Sequence, residues 1–511
     1  MIFVLVILFV VSRFGRAGST RSDFYVGDRT FTASQNGLAL FGTFLMMTPL
    51  LALSGEIALD GYDGVMVTAG FAVSWLVTLL LVAEPLRNTG EYTLGDTLSV
   101  RMTERPVRVA ASAVTLVVLF CYMTIQLAGA GGVVSVLLNV GGPIGQAVVI
   151  ATIGGITAAI VYYGGMRGTT WTQVIKAVLL VATLVALAGA VLVHYRFNVS
   201  ALLGDATARS PDGERLLQPG PNRLEFVSHL VTTVLGNAAL PCLLVRFLTV
   251  PSAKHARRSV TWAICLSMPC YLLVILIGLG AAALIGPARI LAAPGQHFST
   301  VVLLASELGG VALLAFIASV VFTTTVAVTA GLVITAAASF ARDIYANKGE
   351  PLDERREITV ARRAVIVLCV LLTVVAILLM NQSVTFMLSL AVTLAASSIL
   401  PTLLFSWLWR GFNTVGTLWC MYGGAAVTII LVVFSPAVSG DPAALLPAAD
   451  FAFVPWKHVG LLSIPASFLL GYAGAKCSAE RDDGKYAEMD VRALTGAGAE
   501  EARPRPDDSG R

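Results

Sequence analysis

Apolar positions in this chain cluster into runs of about 20 residues, the length of helix that crosses a bilayer core. They recur near 1–12, 38–58, 65–83, 109–138, 143–163, 171–193, 226–248, 260–286, 301–340, 363–380, 384–409, 416–436 and 458–475. The pattern predicts an all-α integral membrane protein with about 13 transmembrane helices. The first run is short for a crossing, which fits either a truncated start or a short helix. It lacks the basic flank and small-residue cleavage site of a signal peptide.

Polar stretches divide the runs. Segment 194–225, with "ARSPDGERLLQPGPNR", reads as an external loop between two halves. Residues 1–476 read as one transmembrane domain, and 477–511, charged and rich in Gly and Pro, as a disordered cytoplasmic tail. Between them, about 38–193 and 226–409 hold two blocks of five runs. An odd number inverts the second block against the first, which is the condition for a five-plus-five inverted repeat.

The leading run of each block is interrupted. The first reads "FGTFLMMTPLLALSG", with breakers at Gly42 and Pro49; the second reads "TTVLGNAALPCLLVRFL", with Gly236, Asn237 and Pro241. Helix breakers at membrane depth leave backbone groups unbonded unless protein or a cavity surrounds them. Paired interruptions point to a midplane site where freed groups meet a solute and an ion. Thr43, Thr48 and Pro49 would bind substrate from one side, and Gly236, Asn237 and Ala238 from the other.

Composition supports the membrane reading. The chain is 57% hydrophobic and 13% charged, with mean hydropathy +0.82, against about 25% charged in soluble domains. With the N-terminus outside and the C-terminus cytoplasmic, 28 of the 34 basic residues fall inside, as the positive-inside rule requires. The net charge of +4 is then a mark of topology and gives no reason to expect nucleic acid. The 28 arginines against 6 lysines suggest a GC-rich bacterial genome, hence a bacterial inner membrane.

The seven cysteines show neither ligand spacing nor a paired framework, and read as small buried hydrophobes. No phosphate loop, zinc spacing or nucleophile elbow occurs in a usable context, so neither an enzyme, a catalytic residue nor a cofactor is expected. Among ionisable groups within the runs, Glu56 is either a proton-carrying carboxylate or a wetted vestibule acid beside Asp60 and Asp63. Gln173 and Lys176 share a helical face at i,i+3. Lys176 could attract an anion, replace the charge of a missing cation, or snorkel to the headgroups. Glu84 with Arg87, and Arg342 with Asp343, read as caps or gates at helix ends.

Several segments resemble one transporter family: "SDFYVGDRTFTASQNGLAL", "SGEIALDGYDG", "AEPLRNTGEYTLGDTLSVRM", "YYGGMRGTTWTQVIKAVLL", "LPCLLVRFLTVPSAKHARRSV" and "AGLVITAAASFARDIYANK". In collinear order over roughly 20–475 they are similar to the sodium/solute symporter family, most of all its acetate permease (cation/acetate symporter) branch. The resemblance implies a leucine-transporter-like core and cation-coupled uptake by alternating access. The partners it implies are a small anionic solute such as acetate, a sodium ion or proton as the coupling cation, and the lipid bilayer. It places the cation site between carbonyls of the first broken helix, at Gly42 and Leu45, and a later core helix, at Thr324, Ala327 and Val328.

The chain departs from the family's pattern at these places. Sodium-coupled members carry serines where this chain has Ala327 and Val328, and an aspartate where it has Gln173. Acetate permeases carry an acid at the place of Thr43 and small residues at Met46 and Met47. The departures leave open a same-family symporter for another organic acid, an amino acid or a vitamin, and a solute sensor that does not transport.

Overall fold

The computed structural model describes residues 18–499 apart from 19, 46, 138–141, 212, 294–298, 349–352, 381–384, 441–443, 447 and 481; at a few further positions, among them 47–51, it describes the backbone alone. Eighteen helices carry the fold. They are α1 (Arg21–Val26), α2 (Ala33–Phe44), α3 (Met47–Asp60), α4 (Tyr62–Thr89), α5 (Leu94–Ser99) and α6 (Glu104–Leu137). Next come α7 (Gly142–His194), α8 (Val199–Arg209), α9 (Arg223–Ala238), α10 (Pro241–Phe247), α11 (Ala253–Leu284) and α12 (Pro287–Ala292). The last six are α13 (Thr300–Tyr345), α14 (Glu354–Leu378), α15 (Phe386–Leu408), α16 (Thr414–Val433), α17 (Gly460–Cys477) and α18 (Asp483–Thr495). No strand occurs among the described residues.

Nine helical stretches among the described residues are long and apolar enough to cross a membrane. That number differs from the thirteen expected runs for physical reasons. The run 1–12 lies outside the described residues, α2 and α3, with 12 and 14 residues, are each too short to count, and α17, with 18, is not apolar enough to be among the nine. Helix α7 counts once, yet its 53 residues would reach about 80 Å if straight, far beyond a core of about 30 Å. Gly165, at φ 48° and ψ −143°, folds it into two arms. Only a residue without Cβ adopts that conformation cheaply, so "GGMRG" forms the turn.

The outer faces are apolar, with Leu80 72% and Val311 83% exposed, as lipid-facing positions require. Buried hydroxyls largely bond back to their own helix, as Thr124 Oγ1 does to Phe120 O and Thr428 Oγ1 to Gly424 O. This satisfies a donor where no water is at hand. Two regions expected to be irregular contain helix. The polar loop holds α8, which docks where Arg209 Nη1 donates to Leu284 O at 2.6 Å. The tail expected to be disordered holds α18, with Met489 fully buried and Asn88 Nδ2 donating to Ala493 O at 2.8 Å.

Candidate functional site

The first break is built by α2 and α3. Thr32 and Gln35 close a capping box at the start of α2. Helix α2 ends at Phe44, and Leu45 leaves helical geometry at φ −76°, ψ 68° while its N–H still reaches Phe41 O at 2.9 Å. Chain direction resumes as helix at Met47, which puts Pro49 in the first turn, where a missing N–H costs no intrahelical bond. Met46 lies outside the described residues, as do the side chains of Thr48 and Pro49. The Thr43 hydroxyl is already used, donating to Ala39 O at 2.8 Å.

The second break sits a turn later than the sequence suggested. Helix α9 runs on through Gly236 and Asn237 to Ala238, and the chain leaves helical geometry only at Ala239 and Leu240 before Pro241 starts α10. Asn237 Nδ2 donates to Thr233 O at 2.8 Å, within its own helix. Gly236 packs against the backbone of Val392 on α15. Pro241 is the effective breaker because it cannot donate the bond that would continue α9.

The second arm of α7 joins the two breaks. Gln173 and Lys176, both fully buried, face the end of α2 and the middle of α13. Gln173 Nε2 donates to Ala327 O at 2.8 Å, and Lys176 Nζ donates to Gly42 O. An alanine Cβ at Gly42 would lie 2.6 Å from the Gln173 carbonyl oxygen, so the glycine lets α2 and α7 come together. Lys176 therefore does not snorkel, although its place near a helix end suggested that option.

A second buried cation was missed by the sequence reading. Arg246 on α10, 2% exposed, donates from Nη1 to Thr170 Oγ1 on α7 at 2.6 Å, while its Nη2 has no partner. Cys242, one turn before it, lies close enough to feel both Arg246 and Lys176. The signal was present: an arginine inside the apolar run "LPCLLVRFL".

The other expected cation ligands offer little oxygen. Ala327 and Val328 have none in their side chains, and Thr325 Oγ1 donates to Val321 O at 2.9 Å. Thr324 Oγ1 is buried without a partner, as is Gln173 Oε1 across from it on α7. Glu56 is half-buried on α3, one turn before Asp60. No group of His, Cys, Asp and Glu that could hold a metal occurs among the described residues.

At the C-terminal end of α13 lies a charged cluster. Arg342 Nε and Arg108 Nη1 contact Asp96 Oδ1 at 2.9 and 2.6 Å, and Arg108 also reaches Asp343 at 3.1 Å. Residues adjacent in sequence are thus not partners: Arg342 pairs with Asp96 and Glu91, and Asp343 with Arg108. Likewise Glu84 pairs with Arg257, while Arg87 donates to Val250 O and Pro251 O. Burial alone would raise the Asp96 carboxyl, but Arg342 and Arg108 outweigh it and hold it at about 2.

A family model described as the sodium:solute symporter family matches residues 24–424. This chain belongs to that family. The symporter is 43% identical over 522 residues to a "Monocarboxylic acid transporter" of Corynebacterium glutamicum, covering 98% of this chain and 95% of the relative. It is 36% identical to the "Uncharacterized symporter YwcA" of Bacillus subtilis, covering 94% of each. Its fold is similar to that of a solved sodium-coupled sialic acid symporter, with TM-score 0.71, 15% identity, and coverage of 94% of this chain and 97% of that one. The symporter is a multi-pass membrane protein and not an enzyme. Family membership implies a solute and sodium as the coupling cation. At the expected sodium position Lys176 and Gln173 donate to the Gly42 and Ala327 carbonyls, and the Ala327 and Val328 side chains offer none of the oxygen ligands that a hard cation takes.

Proposed function

We propose that this symporter imports a small monocarboxylate, acetate or a near relative, across a bacterial inner membrane by alternating access. Its N-terminus lies outside and its C-terminus in the cytoplasm. The observation that carries the reading is the pair of fully buried cations, Lys176 and Arg246, beside the two helix breaks, with no carboxylate in ion-pair contact among the described residues. A buried charge left unpaired is unfavourable by several kcal/mol on the scale of ~3–5 kcal/mol for a broken buried pair. An anionic solute supplies the missing partner. A relative named for monocarboxylic acids supports the same solute class.

The five-plus-five repeat would rock around this site. The backbone at Gly42, Leu45 and Ala238 would line it more than the Thr43 and Asn237 side chains, which are bonded within their own helices. The test is uptake of labelled acetate into proteoliposomes of the purified protein under an imposed inward cation gradient. Accumulation above the no-gradient level is expected. Equilibration without accumulation would leave a sensor or facilitator instead.

A further inference from the structure

Two of the carbonyls at the positions expected to hold a transported cation are engaged by one face of α7. Gly42 O, freed by the break after Leu45, accepts from Lys176 Nζ; Ala327 O, across on α13, accepts from Gln173 Nε2 at 2.8 Å. The oxygen count that a sodium ion would meet is then low. Ala327 and Val328 bring methyl groups and Thr325 bonds within its helix, which leaves the Thr324 hydroxyl and the Gln173 side-chain oxygen as the unengaged side-chain oxygens of these residues. What the site has instead is a lysine amine on a tether. An ammonium has three donors and no acceptor; one donor goes to Gly42 O, and no carboxylate among the described residues pairs with it.

We propose that the Lys176 ammonium is itself the cation of this site, standing between the break of α2 and helix α13 where a sodium-coupled symporter would bind its ion. The inference rests on the monocarboxylate reading. The solute carboxylate would meet a charge that the chain supplies, so uptake proceeds without sodium. The neighbours agree with this assignment. Gly42 admits α7 closely enough for the lysine to reach its carbonyl, and Gln173 takes the place of a carboxylate that would otherwise neutralise the lysine or ligate an ion.

Two readouts test it on the full-length protein. The first is binding of radioactive sodium to the purified protein in detergent, which needs no knowledge of the solute. No saturable binding to the wild type is expected, and saturable binding would overturn the assignment. The second is exchange of external labelled acetate for internal acetate in proteoliposomes, in choline or sodium buffer without a gradient. Equal rates in the two buffers are expected, with at least a tenfold loss for Lys176→Gln in choline that sodium partly restores. A wild type that needs sodium for exchange, or a Lys176→Gln protein that exchanges at the wild-type rate in choline, overturns the assignment. Absence of exchange in both buffers sinks acetate as the solute, and the binding measurement still decides the role of Lys176.

Discussion

At Gly42 a missing side chain and an available carbonyl act together. The first lets α2 approach the Gln173 backbone, and the second receives the Lys176 ammonium. Gly42→Ala would place a methyl 2.6 Å from a backbone oxygen that has little freedom to withdraw. We expect a loss of about 1–3 kcal/mol, visible as a lower thermal midpoint in detergent, together with a marked fall in acetate exchange. Normal stability and exchange in that variant would show that the helices can separate harmlessly. The sequence marked Gly42 as a helix breaker, yet its closest contact is with Gln173, 131 positions along the chain. Arg246 was harder to read because hydrophobic runs are averaged over a window, and one arginine hardly moves the average of "LPCLLVRFL".

Among the elements, α18 shows how a charged stretch can fold. Only Met489 and Ala493, spaced i,i+4, are buried, too narrow an apolar stripe to stand out in "DGKYAEMDVRALT". Its docking uses backbone groups of distant helices. Arg492 Nε donates to Asn88 O at 3.0 Å, and the Arg101 guanidinium covers the Tyr486 ring at 4.6 Å. Arg101 itself donates to the carbonyls of Ser406, Trp409, Arg410 and Phe412, capping the end of α15. Met489→Asp should undock α18 and speed tryptic cleavage at Lys485 and Arg492, whereas Arg410→Ala, which removes an exposed pair with Asp483, should leave cleavage unchanged. Equal cleavage in all three proteins would mean that the helix is not held by its buried face. A π-helical turn at Phe340–Tyr345 illustrates the same limit, since the extra residue per turn re-aims Arg342 and Asp343 and no sequence pattern announces it.

Across the whole molecule, the Asp96 cluster ties the segment around 91–108 to the end of α13, some 240 residues later. Asp96 is 5% exposed, and its carboxyl is held at about 2 against an ordinary value of 3.8. A carboxyl lowered on folding contributes stability above its unfolded value and loses it as pH falls through the folded one. The contribution, on the order of 2 kcal/mol, is therefore complete from pH 5 upward and fades between about pH 4 and 2. Thermal midpoints of the wild type and Asp96→Asn should lie apart at pH 5 and draw together as the buffer is taken through pH 4 toward 2. A gap that did not narrow below pH 4 would show that the contribution does not come from the Asp96 carboxylate.

Run length, the deficit of charge and the interrupted leading runs were enough by themselves to establish a helical membrane transporter with two broken helices. Each of these is a local property, set by what about 20 consecutive residues can bury in lipid. The partners of buried polar groups were not legible in the same way. Hydrogen bonds and ion pairs form between helices far apart in sequence, and their identity depends on helix rotation and on close approaches such as Gly42 against Gln173. The family resemblance therefore placed an ion at Gly42, Leu45, Thr324, Ala327 and Val328, and the Gly42 and Ala327 carbonyls are among the oxygens there. Tertiary packing gave them to Lys176 and Gln173, because only the folded chain brings that face of α7 between α2 and α13.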